Sequence, residues 1–282
     1  MALAPGLYFV ATPLGNARDI TLRALDILAS ADVLAAEDTR RLKQLMDMHG
    51  VPLAGRHITA YHDHNGPKAR PGLIAALRNG KSVAYTSDAG TPLVADPGFA
   101  LGRDAIAEGA DVFAGPGPAA MIAALTVSGL PSDRFTFAGF PPPAAVARTK
   151  FFETLTAAQG TLIFYESPKR VVATLQSAAA VFGGSQPAVL ARELTKKFEE
   201  VRRGTLCALI ESCTENAPRG EIVLLIAPLG NDVAPDDIDA ALRTALKTSK
   251  LKEAASDVAE AFGLSRRDLY QRGLELQRDI DD

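Results

Sequence analysis

The stretch Ser87-Asp88-Ala89-Gly90-Thr91-Pro92 decides how this chain is read, because it directly follows the apolar run Val83-Ala84-Tyr85. A β-branched and aromatic run that stops abruptly in a polar, glycine-containing loop reads as a strand ending at the rim of a sheet. Ligands of open α/β sheets bind just outside the carboxyl ends of the strands. Gly90 lets the backbone approach a ligand with no side chain in between. Asp88 offers a carboxylate to hydroxyl or amine protons, and Pro92 and Pro97 stiffen the loop. Alone, the hexapeptide also fits a polar strand-to-helix turn. Three more loops of this kind add weight to the ligand reading: Thr12-Pro13-Leu14-Gly15-Asn16, Glu37-Asp38-Thr39-Arg40 and His62-Asp63-His64-Asn65.

Outward from that loop, strands are expected over 7–12, 33–36, 58–61, 82–86 and 111–114. Helices are expected over 21–31, 42–49, 69–78 and 99–108. This alternation is the signature of a parallel sheet covered by helices on both faces. Parallel strands point their carboxyl ends one way, so the four polar loops converge on one cleft. The pattern breaks near Gly115-Pro116-Gly117-Pro118. A second α/β domain is expected beyond it, with strands over 134–137, 161–165, 188–191 and 221–227. Gly230 to Pro235 reads as a linker and the remainder as short helices. The expected domains are therefore 1–116, 117–229 and a helical tail, 235–282.

Composition agrees with a globular protein. The 282 residues are 47% hydrophobic and 22% charged. A net charge of −3 gives no overall pull toward nucleic acid, so any basic surface must be local. Cys207 and Cys213 lack metal-like spacing and read as free thiols, buried as small apolar residues. No 18-residue apolar span occurs, so no transmembrane helix is expected. The N-terminus lacks signal-peptide features, so a cytoplasmic protein with no membrane partner is expected.

Several mechanisms fit poorly. The chain has no Gly-x-x-x-x-Gly-Lys-Ser/Thr, no Gly-x-Gly-x-x-Gly after the first strand and no Gly-x-Ser-x-Gly. His62-Asp63-His64 supplies too few ligands for a metal site, and none is expected. What remains is a cleft that holds a small ligand largely by backbone groups.

The stretches LYFVATPLGNARDITLRALDIL (from Leu7), AEDTR (Ala36), HDHN (His62) and SDAGTPLVADPG (Ser87) carry a resemblance, as do GPGPAA (Gly115) and SGLPSDRFTFAGFPP (Ser128). It continues through TLIFYESPKR (Thr161), ARELTKKFEE (Ala191) and GEIVLLI (Gly220). In order and in type, these resemble the tetrapyrrole methylase superfamily of S-adenosylmethionine-dependent enzymes. Within it they are similar to the ribosomal RNA small subunit methyltransferase I branch, whose helix-turn-helix-like tail the segment after Leu246 resembles. The resemblance implies two α/β domains with the cofactor cleft between them, plus a small helical segment. It implies S-adenosylmethionine as cofactor, a homodimer, and methyl transfer to a cytidine ribose 2′-hydroxyl in the decoding region of 16S ribosomal RNA. Carried onto this chain, the cofactor contacts fall at Leu14, Ser87, Asp88, Ala89, Gly90, Val94, Ala119, Tyr165, Glu166, Leu194, Gly220 and Glu221. Ala11 and Ala114 depart from the family's usual proline and bulkier residue.

A ribose hydroxyl is a weak nucleophile and gains from a base, or from a positive group beside the developing alkoxide. Glu37, Asp38, Arg40, His62 and Asp63 are the acceptor-side candidates, with Arg40 expected to face the same cleft as Asp88. Asp38 or Thr39 could equally cap the helix over 42–49. For RNA contact the candidates are Lys196, Lys197, Lys250, Lys252, Arg266 and Arg267, together with Arg202 and Arg203. Two other readings stay open: a methylase of a small porphyrinoid or modified amino acid, and a non-catalytic RNA-binding assembly factor.

Overall fold

The computed structural model describes residues 3–62, 64–229, 235–262 and 265–281. In the first half, β1 (Gly6–Val10), β2 (Val33–Ala36), β3 (Ile58–Ala60), β4 (Ser82–Thr86) and β5 (Val112–Gly115) form one sheet in the order β3-β2-β4-β1-β5. Every pairing in it is parallel. The crossovers contain α1 (Leu22–Ser30), α2 (Thr39–Met48), α3 (Gly66–Arg78) and α4 (Phe99–Ala107). Alternate strand residues enter opposite faces. Val10 and Leu34 pack with Leu28 and Met46 on one side, and Leu7 and Tyr85 with Leu73 and Leu101 on the other. All five residues of β4 are buried, as a central strand between two helical layers requires.

The second sheet is built differently. It contains β6 (Phe135–Phe137), β7 (Thr161–Glu166), β8 (Pro187–Arg192), β9 (Glu200–Thr205) and β10 (Ile222–Ile226), in the order β6-β7-β10-β8-β9. Only β6 and β7 run parallel; the other neighbours are antiparallel. Its helices are α5 (Ala120–Ser128), α6 (Ala145–Glu153), α7 (Val171–Phe182) and α8 (Leu206–Glu215). The sequence reading missed β9, whose Glu-Val-Arg-Arg-Gly-Thr is a polar edge strand with a single aliphatic side chain. It also missed α6 and α8. Cys213 is buried as expected, but Cys207, in the first turn of α8, is exposed.

Both sheets lie in one compact unit, Met1–Ala227. The second unit, Pro228–Asp282, contains α9 (Pro235–Ala245), α10 (Leu251–Phe262) and α11 (Arg266–Asp281). Its own small core gathers Leu242, Ala255, Val258, Leu269 and Leu276. Most of the expected linker, 230–234, lies outside the described residues. Among the described residues no helix is long and apolar enough to cross a membrane.

Candidate active site

The loops after β1, β2 and β4 meet at the rim of the first sheet. Thr12 and Gly90 exchange both backbone hydrogen bonds, each 2.9 Å, and so fasten the first of these loops to the third. Gly90 has φ +76°, a left-handed conformation in which a side chain is strained. A Cβ there would also come within 3.2 Å of Leu14 Cδ2. Leu93 and Ala95 adopt the same region with φ of 72° and 59°. Such strain in non-glycine residues persists where the surroundings over-determine the loop, and it gathers at functional sites.

Asp88 joins the loops electrically. Its Oδ1 accepts from the Asp38 amide at 3.0 Å, and its Oδ2 lies 3.4 Å from Arg41 Nη1. The Asp88 amide in turn donates to Glu37 Oε2 at 3.1 Å. Beyond this cluster opens a cavity of about 540 Å³ between the two sheets. Glu37, Asp88, Asp96 and Glu221 place carboxylates on its wall; Leu14, Val94, Phe140, Tyr165 and Val223 make it apolar elsewhere. Burial pushes the Asp96 carboxyl up to about 6, and the neighbouring carboxylates of Glu37, Asp88 and Glu221 add to this against a hydrogen bond from Ser87. Burial also raises the Tyr165 hydroxyl, which accepts the Met121 amide at 3.3 Å.

The far wall is held by ion pairs. Glu166 is fully buried and accepts from the Ser167 amide at 2.7 Å and from Thr174 Oγ1 at 2.5 Å, beside the Arg170 guanidinium. Lys196 Nζ bonds both Glu193 and Glu221 at 2.9 Å. The stem of Lys196 fills the space a Cβ on Gly15 would need, with its Cγ the nearest atom. Thr195 Oγ1 accepts from the Asn16 amide at 3.2 Å, so the loop after β8 is fastened to the loop after β1.

Of the cofactor candidates, Leu14, Asp88, Ala89, Gly90, Val94, Ala119, Tyr165, Glu166, Gly220 and Glu221 line this cavity. Ser87 borders a smaller neighbouring cavity, and Leu194 packs into the second core beneath the rim. Of the acceptor-side candidates, Glu37 lines the larger cavity. The expected loop 37–40 is already helix from Thr39 onward, with Asp38 as its N-cap accepting the Arg40 amide at 2.9 Å. Hydrogen bonds from Arg40 hold the Asp38 carboxyl down to about 2. Arg40 pairs with Asp38 at 2.8 Å while its side chain stays 90% exposed, so it does not face the cleft; Arg41 does. His62 lies outside the lining of both cavities, stacked edge-on near His64, and Asp63 is outside the described residues. Among the described residues no three His, Cys, Asp or Glu side chains converge as a metal site would need.

The expected basic surface divides in two. Lys196 is committed to Glu193 and Glu221. Arg202 pairs with Glu200 at 2.8 Å, and Arg203 Nε donates to the Ser128 carbonyl at 3.0 Å. Lys197 is exposed, over the Phe198 ring. Lys250, Lys252, Arg266 and Arg267 are exposed on the tail. Sequence reasoning missed Arg41, Asp96 and Phe140, and the start of β10 at Ile222 and Val223.

Residues 6–210 match the family Tetrapyrrole (Corrin/Porphyrin) Methylases, and residues 232–277 match the RsmI C-terminal HTH domain. The chain is 49% identical to ribosomal RNA small subunit methyltransferase I of Mesorhizobium japonicum over 277 residues, 98% of this chain and 93% of that protein. It is 42% identical to the protein of that name from Escherichia coli O157:H7, over 96% of this chain and 95% of that one. Among solved structures, a diphthine synthase aligns with a TM-score of 0.60 at 15% identity, covering 78% of this chain and 89% of its own. The uroporphyrin-III-C-methyltransferase from Thermus thermophilus aligns at 0.55 and 20% identity, over 80% of this chain and 95% of its own. At such identities these two structures establish the shared fold alone.

Proposed function

The chain belongs to the tetrapyrrole (corrin/porphyrin) methylase family, and on that premise we propose that it methylates small-subunit ribosomal RNA with S-adenosylmethionine. The finer reading is transfer to the 2′-hydroxyl of a cytidine in the decoding region of 16S ribosomal RNA. The observation that carries the proposal is the 540 Å³ cavity, lined by apolar side chains and by the acidic residues Glu37, Asp88, Asp96, Glu166 and Glu221, in a chain so similar to named rRNA methyltransferases. A large aromatic cation suits that lining.

The bound cofactor supplies an electrophilic methyl on a sulfonium. Glu37, Asp88, Asp96 and Glu221 favour a cation over the neutral thioether that remains after transfer. The rigid loop 87–98 fixes the donor's position, which matters because the protein's main contribution is alignment. Arg41, at the edge of the cavity, stabilises the acceptor oxygen as it loses its proton, with Glu37 beside it as a proton acceptor.

The division of labour runs along the two units and the two sheets. Residues 1–116 hold the acceptor and part of the cofactor, residues 117–229 complete the cofactor cleft, and residues 235–282 bind RNA through Lys250, Lys252, Arg266 and Arg267. The protein acts as a cytoplasmic homodimer, a state that light scattering would read directly. The test of the function is transfer of labelled methyl to assembled small subunits and to naked 16S ribosomal RNA, with digestion and mass spectrometry to place it. Label on a cytidine ribose is expected. Cofactor binding without label on either RNA would defeat the reading and leave a small-substrate methylase or an assembly factor.

A further inference from the structure

A second, smaller cavity of about 150 Å³ lies beside the first, and Arg41 and Asp88 border both. Its size is several times the roughly 30 Å³ share of one water and well short of the roughly 300 Å³ at which pockets enclose a whole small-molecule ligand. One wall is a single face of α2: Arg41, Gln44, Leu45 and Met48 recur at helical spacing. Pro13 stands in the loop opposite, and Thr12, Thr86 and Ser87, each no more than 3% exposed, come from the strand ends. The result is a slot in which Pro13, Ala17, Leu42, Leu45 and Met48 alternate with polar groups, and the exposed Gln44 brings both a donor and an acceptor to it. That combination suits a flat heterocycle with apolar faces and a hydrogen-bonding edge.

We propose that this slot takes the base of the acceptor nucleotide, a single pyrimidine ring turned out of the RNA stack. The proposal rests on the methyl-transfer reading above. With the base in the slot, its ribose lies at the Arg41–Asp88 wall, the one place where both cavities are within reach. Unstacking costs little in single-stranded RNA, which is where proteins read bases by their edges.

The experiment uses the full chain and three readouts: methyl transfer to small subunits, S-adenosylmethionine affinity by calorimetry, and a thermal melt. Leu45→Trp fills the slot and is expected to slow methyl transfer at least roughly thirtyfold, with cofactor affinity within about twofold of wild type. Gln44→Ala removes an exposed side chain that the core does not need, and is expected to raise KM for subunits roughly fivefold. It decides the matter if Leu45→Trp fails to fold. Normal methylation by a folded variant overturns the proposal, and so does a parallel loss of cofactor affinity, which would make the slot part of the donor site. If wild type itself leaves subunits unmethylated, the methyl-transfer reading has failed and this proposal falls with it; that result is distinct from an active wild type with indifferent variants.

Discussion

The two sheets contribute to the cleft in different ways. In the first, parallel pairing sends β1, β2 and β4 to one rim, and the loops after them carry Leu14, Glu37, Asp88 and Gly90. In the second, antiparallel pairing brings the ends of β7 and β8 beside the start of β10, so Tyr165 pairs with Val223 and Glu166 with Ile222 at the cleft. A rule that looks only at the carboxyl ends of strands works in the first sheet and misses half of the second. Even in the first sheet position matters: β3 is the edge strand, two places from β4, and His62, His64 and Asn65 after it line neither cavity.

The sharpest way to break that contrast is Gly90→Val. The left-handed backbone and the close Leu14 side chain leave no room for a branched residue, and the loop it distorts lines the cavity proposed for the donor. Calorimetry is expected to show S-adenosylmethionine affinity falling roughly hundredfold or more, about 2.7 kcal/mol. Unchanged affinity would remove the parallel rim from the donor site.

The next largest effect separates two adjacent arginines. Arg41→Ala is expected to slow single-turnover methyl transfer roughly tenfold to a hundredfold, about 1.5–3 kcal/mol, with little change in cofactor affinity. Arg40→Ala should leave the rate alone, because its guanidinium sits in solvent with Asp38. Equal losses for both would mean that helix phase does not assign the acceptor side.

Asp96 gives a pH signature. Its carboxyl sits at about 6 in the folded protein against 3.8 when exposed. Between those values the folded state binds more protons than the unfolded one, so stability of the ligand-free protein falls as pH rises from about 4 to about 6. Asp96→Asn should therefore melt higher than wild type at pH 8, and the gap should close toward pH 4. A cationic donor prefers the ionised carboxylate, so wild-type affinity should tighten as pH rises through about 6. A gap that ignores pH would show that Asp96 is solvated and no part of an acidic wall.

The smallest effect lies outside both sheets. Lys250→Ala and Lys252→Ala should each weaken RNA binding a few-fold and lower the dependence of log affinity on log salt by about one. Lys196→Ala, whose ammonium is engaged by two carboxylates, should leave that slope unchanged. The reverse pattern would move the RNA surface from the tail to the second sheet.

Much of this was legible in the sequence, and the rest was hidden for physical reasons. The span of β4 was read to the residue, since five apolar or small residues bounded by turn chemistry admit little else. Arg41 was lost to Arg40 because the helix begins at Thr39; read as a loop, the segment has no phase, and phase alone decides which arginine turns inward. Asp96 was in plain view within the run from Ser87 to Gly98, but its proton affinity depends on Glu37 and Glu221, which only folding brings near. Arg202 and Arg203 read as free charge because β9 has too little apolar patterning to announce itself, and a strand was needed to aim them at Glu200 and at the Ser128 carbonyl.

The seat of Lys196 against Gly15 ties two distant positions to each other. Gly15→Ala would drive a methyl into the lysine's stem at Cγ, and the χ1 rotation that clears it would carry the ammonium away from Glu193 and Glu221. In a Lys196→Ala background the three atoms nearest the new methyl are gone. The double substitution should therefore cost far less than the sum of the two single ones. A lineage could cross that gap in only one order, lysine first, and would have to endure Glu193 facing Glu221 without their shared cation on the way.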